Sequence, residues 1–136
     1  GAFIDVSMTH EVARLNIIAE HALALGVERD RGEDWLTGGW PCYGVYPTAD
    51  GRYLAVGALE EKFWTLLCEA LDKPHLVPLR AAEGIVALRV RKELSDCFAT
   101  RTLQAWSAFF ADIDCCVTPV LTLAEARQHA LFKEAP

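Results

Sequence analysis

The sequence contains no stretch of about 18 uninterrupted apolar residues, the length a helix needs to cross a hydrocarbon core. A membrane span is therefore not expected. Basic charge is scarce as well: Lys and Arg total 13 against 19 Asp and Glu, a formal net charge of −6. The densest basic cluster is Arg89-Val90-Arg91-Lys92. Neutralising many phosphates demands a larger footprint, so nucleic acid is not an expected partner. Cys42, Cys68, Cys97, Cys115 and Cys116 are an odd number and include no Cys-x-x-Cys spacing of a zinc or redox site. The vicinal pair Cys115-Cys116 cannot bridge easily. Reduced thiols in a cytoplasmic protein are the simplest account. No signal-peptide pattern opens the sequence: a basic n-region is missing, and Asp5 and His10 interrupt any apolar core.

What is present suits one domain, or one domain with a piece of a neighbour. A chain of 136 residues, 52% apolar and 24% charged, can bury roughly two-thirds of its unfolded surface. Residues Asp5 to Leu25 read as a single helix, with Met8, Val12, Leu15, Ala19 and Ala22 on one apolar face. Ile17, Ile18, Leu23 and Leu25 widen that face, so the helix needs partners on two sides; Gly26 is a natural stop. The charge-dense stretch from Glu28 to Asp34, followed by Thr37-Gly38-Gly39-Trp40-Pro41, reads as a linker with a Gly-rich loop. Tyr43–Tyr46 and Arg52–Gly57 flank Asp50-Gly51, a strong hairpin signal.

Helices are then expected over Glu60–Asp72, Glu83–Ala99 and Thr102–Ala111. Their inward stripes are Phe63, Leu67, Ala70 and Leu71; Ala87, Val90, Leu94 and Cys97/Phe98; and Leu103, Trp106 and Phe110. Lys73-Pro74 ends the first of these, and Thr102 is the N-cap of the last. Trp64 and Trp106 read as core anchors. Val117–Leu121 is a short extended piece that Pro119 restricts to an edge or strand end. Thr122-Leu123-Ala124-Glu125 is a capping box that starts a final short helix. The expected fold class is α+β: a hairpin or short sheet packed by three or four helices, preceded by a helix that belongs elsewhere. The corresponding division is residues 1–26, a helix at the edge of a larger domain; 27–41, linker and loop; and 42–136, the small α+β domain.

Several stretches occur in an order that resembles a known family. They are Ile4–Met8, Leu36–Tyr46, Thr48–Trp64, Phe98–Thr102 with Trp106, and Asp114–Leu121. Together they resemble the CaiB/BaiF family, also called family III CoA-transferases. The Ala58-Leu59-Glu60 and Cys116-Val117-Thr118-Pro119-Val120 patterns are most similar to its α-methylacyl-CoA racemase branch. The resemblance implies a longer protein with a large Rossmann-like CoA-binding domain and a small α+β domain, in which two subunits interlock as a homodimer. It places the catalytic His and Asp on the large domain, before Gly1, and Asp5 is not that Asp. This chain would then be a fragment, inactive alone. The substrate implied is an acyl-CoA; CoA is part of that substrate, and no further cofactor or metal is implied.

The resemblance makes Glu60 the candidate catalytic residue, reaching into the partner subunit's active site beside the catalytic His. Read without it, Glu60 is a first-turn carboxylate complementing the helix dipole. Tyr43 is a candidate substrate-binding residue, or else a half-buried strand aromatic. Gly38 and Gly39 are candidates for a loop that closes over the thioester, or else a plain connector. Cys42 is the only cysteine expected near this site. His10 and His21 share a helix face, but nothing supplies a third metal ligand. Two activities are implied: racemisation at C2 of a 2-methylacyl-CoA, or CoA exchange between an acyl-CoA and a carboxylic acid. A free-standing interaction module, using the apolar face of the first helix, is the reading from another class.

Overall fold

The computed structural model describes residues 1–27 and 29–133. Glu28, in the expected linker, and residues 134–136 of the expected small domain lie outside the described residues. The chain separates into two compact units, Gly1–Asp30 and Arg31–Pro136. Residues 31–41 therefore group with the second unit.

The first unit holds two helices, α1 (Met8–Arg14) and α2 (Ile17–Ala24). A single helix over Asp5–Leu25 was expected, and Leu15-Asn16 interrupts it. The last N–H groups there turn tight, Leu15 to the Val12 carbonyl at 3.1 Å and Asn16 to that of Ala13 at 3.0 Å. Asn is a weak helix former, because its amide competes with the backbone for hydrogen bonds. The Ser7 hydroxyl caps α1, and Gly26 follows the end of α2 at φ 73°, in the left-handed region that glycine occupies without steric cost. Neither helix has a buried residue.

The second unit is α+β. Its sheet has strands β1 (Tyr43–Pro47), β2 (Tyr53–Gly57) and β3 (Val117–Pro119), antiparallel and in that spatial order. Gly51, at φ 71°, turns the hairpin, and its N–H bonds to the Thr48 carbonyl at 3.0 Å. The neighbouring Asp50 carboxylate accepts from the Thr48 hydroxyl at 2.5 Å and from the Leu103 N–H at 3.2 Å. One turn residue thus satisfies an orphan donor at the start of α5 (Leu103–Phe110). Pro119 sits on the edge strand, where its missing N–H costs nothing.

α3 (Glu61–Ala70) follows β2, and Asp72, two residues past its end, takes the left-handed conformation at φ 56°. Pro74–Leu79 then form a 3₁₀ turn, just past the Lys73-Pro74 stop that the sequence signalled. Its Leu76 and Val77 carbonyls both accept from the Trp64 indole, at 3.0 and 3.1 Å. α4 (Gly84–Phe98) buries Ala87, Val90, Leu94 and Phe98, as its periodicity predicts. Phe98 anchors an aromatic cluster with Tyr46, Trp106 and Phe110, at centroid distances of 5.4, 5.4 and 6.4 Å. Thr122 and Glu125 form the reciprocal capping box that begins α6 (Leu123–Gln128), and α7 (Ala130–Lys133) follows. The core is one cluster that unites all three strands' surroundings with α3, α4 and α5: Tyr46, Leu54, Val56, Trp64, Leu94 and Trp106 all belong to it.

Candidate functional site

The glycine loop folds back on itself just before β1. The Thr37 and Gly39 N–H groups both donate to the Asp34 carbonyl, at 3.0 and 2.8 Å. Gly39 is required by close approach: a Cβ there would stand 2.0 Å from the Glu33 carbonyl oxygen. Gly38 is required by conformation, at φ 109°. The loop enters β1 through Pro41, whose carbonyl accepts from the buried Tyr46 hydroxyl at 2.5 Å. Burial pushes the Tyr46 phenol well above its ordinary range, so it stays a donor.

Tyr43 opens β1, half-buried, and pairs with Gly57 at the end of β2. A Cβ on Gly57 would come 4.0 Å from Cε2 of Tyr43, so the Tyr43 ring lies beside the glycine across the strands. The Ala58 N–H donates to the Cys42 carbonyl at 2.9 Å, and the Gly57 N–H to the Cys116 carbonyl at 2.8 Å. The hairpin end opposite its turn therefore draws together the loop exit, the end of β2 and the start of β3.

Glu60 lies three residues beyond Gly57. It was expected in the first helical turn, but it is the N-cap of α3, with extended backbone at φ −79° and ψ 144°. Its carbonyl accepts from the Phe63 and Trp64 N–H groups, both at 3.1 Å. Its carboxylate makes no capping hydrogen bond and is exposed to solvent. Glu61 is the acid that occupies the first turn.

Cys42 was expected to be the only cysteine near this site, yet Cys116 lies there as well, its carbonyl bonded to the Gly57 N–H. Cys42 is fully buried, and burial raises its thiol pKa despite the Arg80 charge beside it. Cys116, which sequence reasoning left aside, is only half-buried and lies in the field of Glu60. Burial, then the Asp114 and Glu60 carboxylates, raise its thiol pKa, which disfavours a thiolate nucleophile. Cys116 also takes φ 56°, a left-handed turn that aims its carbonyl at Gly57. The pairing of β3 with β2 puts it there, and no local pattern announces such a long-range contact.

Among the described residues, no three His, Cys, Asp or Glu side chains converge on a metal position. The chemistry on offer is that of a solvent-facing carboxylate free of helix-capping duty, a half-buried phenol and a tight glycine turn. A carboxylate so placed can take up a proton or orient a donor supplied from outside this unit.

Comparison with known proteins gives this geometry a context. The profile of CoA-transferase family III matches residues 1–135. The chain is 37% identical to the alpha-methylacyl-CoA racemases of Mus musculus and Homo sapiens, over 98% of its own length and 35% of theirs. It is 31% identical to the CaiB/baiF CoA-transferase family protein ZK892.4 of Caenorhabditis elegans, over 95% of this chain and 36% of that protein. The chain thus spans about a third of the length of these relatives. Among solved structures, the orthorhombic form of Rv3272 from M. tuberculosis superposes with a TM-score of 0.67 at 21% identity, over 95% of this chain and 33% of that one. Another crystal structure of Rv3272 gives 0.58 at 22% identity, over 88% of this chain and 32% of that one. These structures share the fold. The match along nearly every residue, with the small antiparallel sheet and its helices, means that this chain belongs to the family III CoA-transferases.

Proposed function

We propose that the protein to which this chain contributes racemises or epimerises 2-methylacyl-CoA thioesters at C2. The observation that carries the reading is the 37% identity to two alpha-methylacyl-CoA racemases along almost the whole chain. The uncapped Glu60 carboxylate at the head of α3 agrees with it. The thioester carbonyl acidifies the C2 proton, so a base titrating near neutrality can remove it, leaving an enolate. Return of a proton to either face gives both configurations. Glu60 acts across a homodimer interface, beside a base held by the protein's other domain, and tunes that base or relays its proton. Tyr43 and the Gly38-Gly39 turn line the acyl-CoA path, and residues 1–26 lie along the edge of the larger domain. The chemistry calls for neither a metal nor a redox cofactor, and CoA arrives with the substrate. Five unpaired cysteines suit work in the reducing cytoplasm.

The experiment is proton exchange in deuterium oxide with the complete protein and a 2-methylacyl-CoA, with no acceptor acid present. Deuterium should appear at C2, and Glu60→Gln should slow it by about one to two orders of magnitude. The family profile also favours a second reading, transfer of CoA from an acyl-CoA to a carboxylic acid. Acceptor-dependent thioester exchange without deuterium at C2 would establish that reading and defeat the first. A wild-type rate for Glu60→Gln would leave Glu60 a surface residue.

A further inference from the structure

Two arginines reach the candidate site from elements behind it. Arg91, on α4, donates through Nη1 to the Gly38 carbonyl at 2.5 Å, across a separation of 53 residues. Its guanidinium carbon lies 5.5 Å from the centre of the Tyr46 ring. A Cβ on Gly44 would stand 3.0 Å from the same Nη1. The guanidinium therefore occupies the space a side chain at residue 44 would need, and it joins the loop to β1. Arg80, just after the 3₁₀ turn, donates to the Leu59 carbonyl, one peptide before Glu60. Its guanidinium carbon is 5.9 Å from the centre of the Trp40 ring, next to Gly39. Both arginines are half-buried. A guanidinium suits this work, since its donors are fixed in a plane, its charge is permanent, and charge-assisted hydrogen bonds are about twice as strong as neutral ones.

We infer that Arg91 and Arg80 are positioning residues of the acyl-CoA site, Arg91 shaping the Gly38-Gly39 turn and Arg80 fixing the Leu59-Glu60 peptide that carries the carboxylate. The inference rests on the proposed function for its substrate; the clamping contacts themselves do not. The two clamps act on different steps. Arg91 holds a loop assigned to binding, so its loss acts on KM. Arg80 holds the backbone under the group assigned to proton transfer, where a displacement of about 1 Å can cost up to two orders of magnitude, so its loss acts on kcat.

The test uses the complete protein with Gly44→Ala, Arg91→Lys, Arg91→Met, Arg80→Lys and Arg80→Met. C2 exchange gives kcat and KM, and amide hydrogen exchange follows residues 36–44, 57–61 and, as a reference, α5. Gly44→Ala and Arg91→Met should raise KM about tenfold with kcat within about twofold, and speed exchange in 36–44 while α5 stays at the wild-type rate. Arg80→Met should lower kcat about tenfold with KM within about twofold, and speed exchange in 57–61. Each lysine variant should recover part of the loss. Gly44→Ala keeps every core residue and the arginine, so it supplies a folded protein even if Arg91→Met unfolds. Wild-type KM and loop exchange in Gly44→Ala, or equal acceleration across α5, would overturn the clamp. A wild-type protein with no acyl-CoA turnover would overturn the functional reading instead, and loop exchange would still decide the arginine contacts.

Discussion

Each thiol in this chain is governed by its own surroundings. Cys68 and Cys115 are fully buried, and burial pushes their pKa values up to about 12 and about 11. Cys42 is fully buried too, with a raised pKa that the nearby Arg80 moderates. Cys97 and Cys116 are partly exposed, and theirs are raised as well, by burial first. Because only a thiolate attacks a disulfide reagent, labelling near pH 8 should be slow throughout and should reach Cys97 and Cys116 first. The other three should react only as the protein unfolds. Peptide mapping after timed labelling checks the order, and early modification of Cys68 would contradict the burial described. Glu60 poses the opposite case, since its carboxylate spends nothing on the helix it introduces and stays open to solvent. Its type was legible in the Ala-Leu-Glu pattern. Its N-cap position was not, because Glu is favoured in the first turn of a helix and is not among the residues that favour the cap.

α6 shows how one charge pair can attach an element. This helix of 6 residues has no buried side chain. It is tied to the hairpin by Arg52, whose two terminal nitrogens donate to the Glu125 carboxylate at 3.1 and 2.8 Å. Arg52, then the Thr122 N–H, lower the Glu125 pKa from 4.5 to about 2. A carboxylate depressed in the folded state contributes stability that is fully present above its unfolded pKa, and loses it as pH falls through the folded one. α6 should therefore detach between about pH 4.5 and pH 2. Arg52→Met should move that loss up into the ordinary carboxylate range. Carboxyl titration of Glu125 by NMR, alongside the Leu123 and Ala124 amides, reads both effects; an unchanged Glu125 midpoint in Arg52→Met would refute the pairing.

The capping box that makes this helix was readable because it is local, as were the Asp50-Gly51 turn, the Thr102 cap and the stripe of α4. The 4-3-4-3 spacing of Met8, Val12, Leu15, Ala19 and Ala22 continues smoothly through Asn16, so the pattern concealed the break between α1 and α2. Pro74 announced the end of α3, but the 3₁₀ turn after it is held by the Trp64 indole, 12 and 13 residues away. The arginine clamps of the candidate site span 21 and 53 residues, and no periodicity encodes contacts at that range. Gly38 and Glu60 were visible in the sequence; the arginines that hold the Gly38 and Leu59 carbonyls were not.

At the scale of the whole chain, apolar surface is divided unequally. The core cluster draws its buried members from Cys42 onward. In the first unit Met8 is 84% exposed and Leu15 79%, and Val12, Ile17 and Leu23 are also exposed. Large apolar side chains exposed in such number favour association. The 136-residue chain should therefore form oligomers, and should associate more strongly than residues 31–136 alone, which expose Ile85, Leu88, Leu123 and Leu131. Since neither α1 nor α2 buries a side chain, the shorter chain should also melt within a few degrees of the longer one. Light scattering and thermal circular dichroism on both chains test this, and a monomeric 136-residue chain, or loss of the cooperative transition on removing residues 1–30, would contradict it.

The concentration of the core beyond Asp30 makes Asp30-Arg31 a natural seam. Two genes divided at that codon would yield polypeptides of which the second matures unaided.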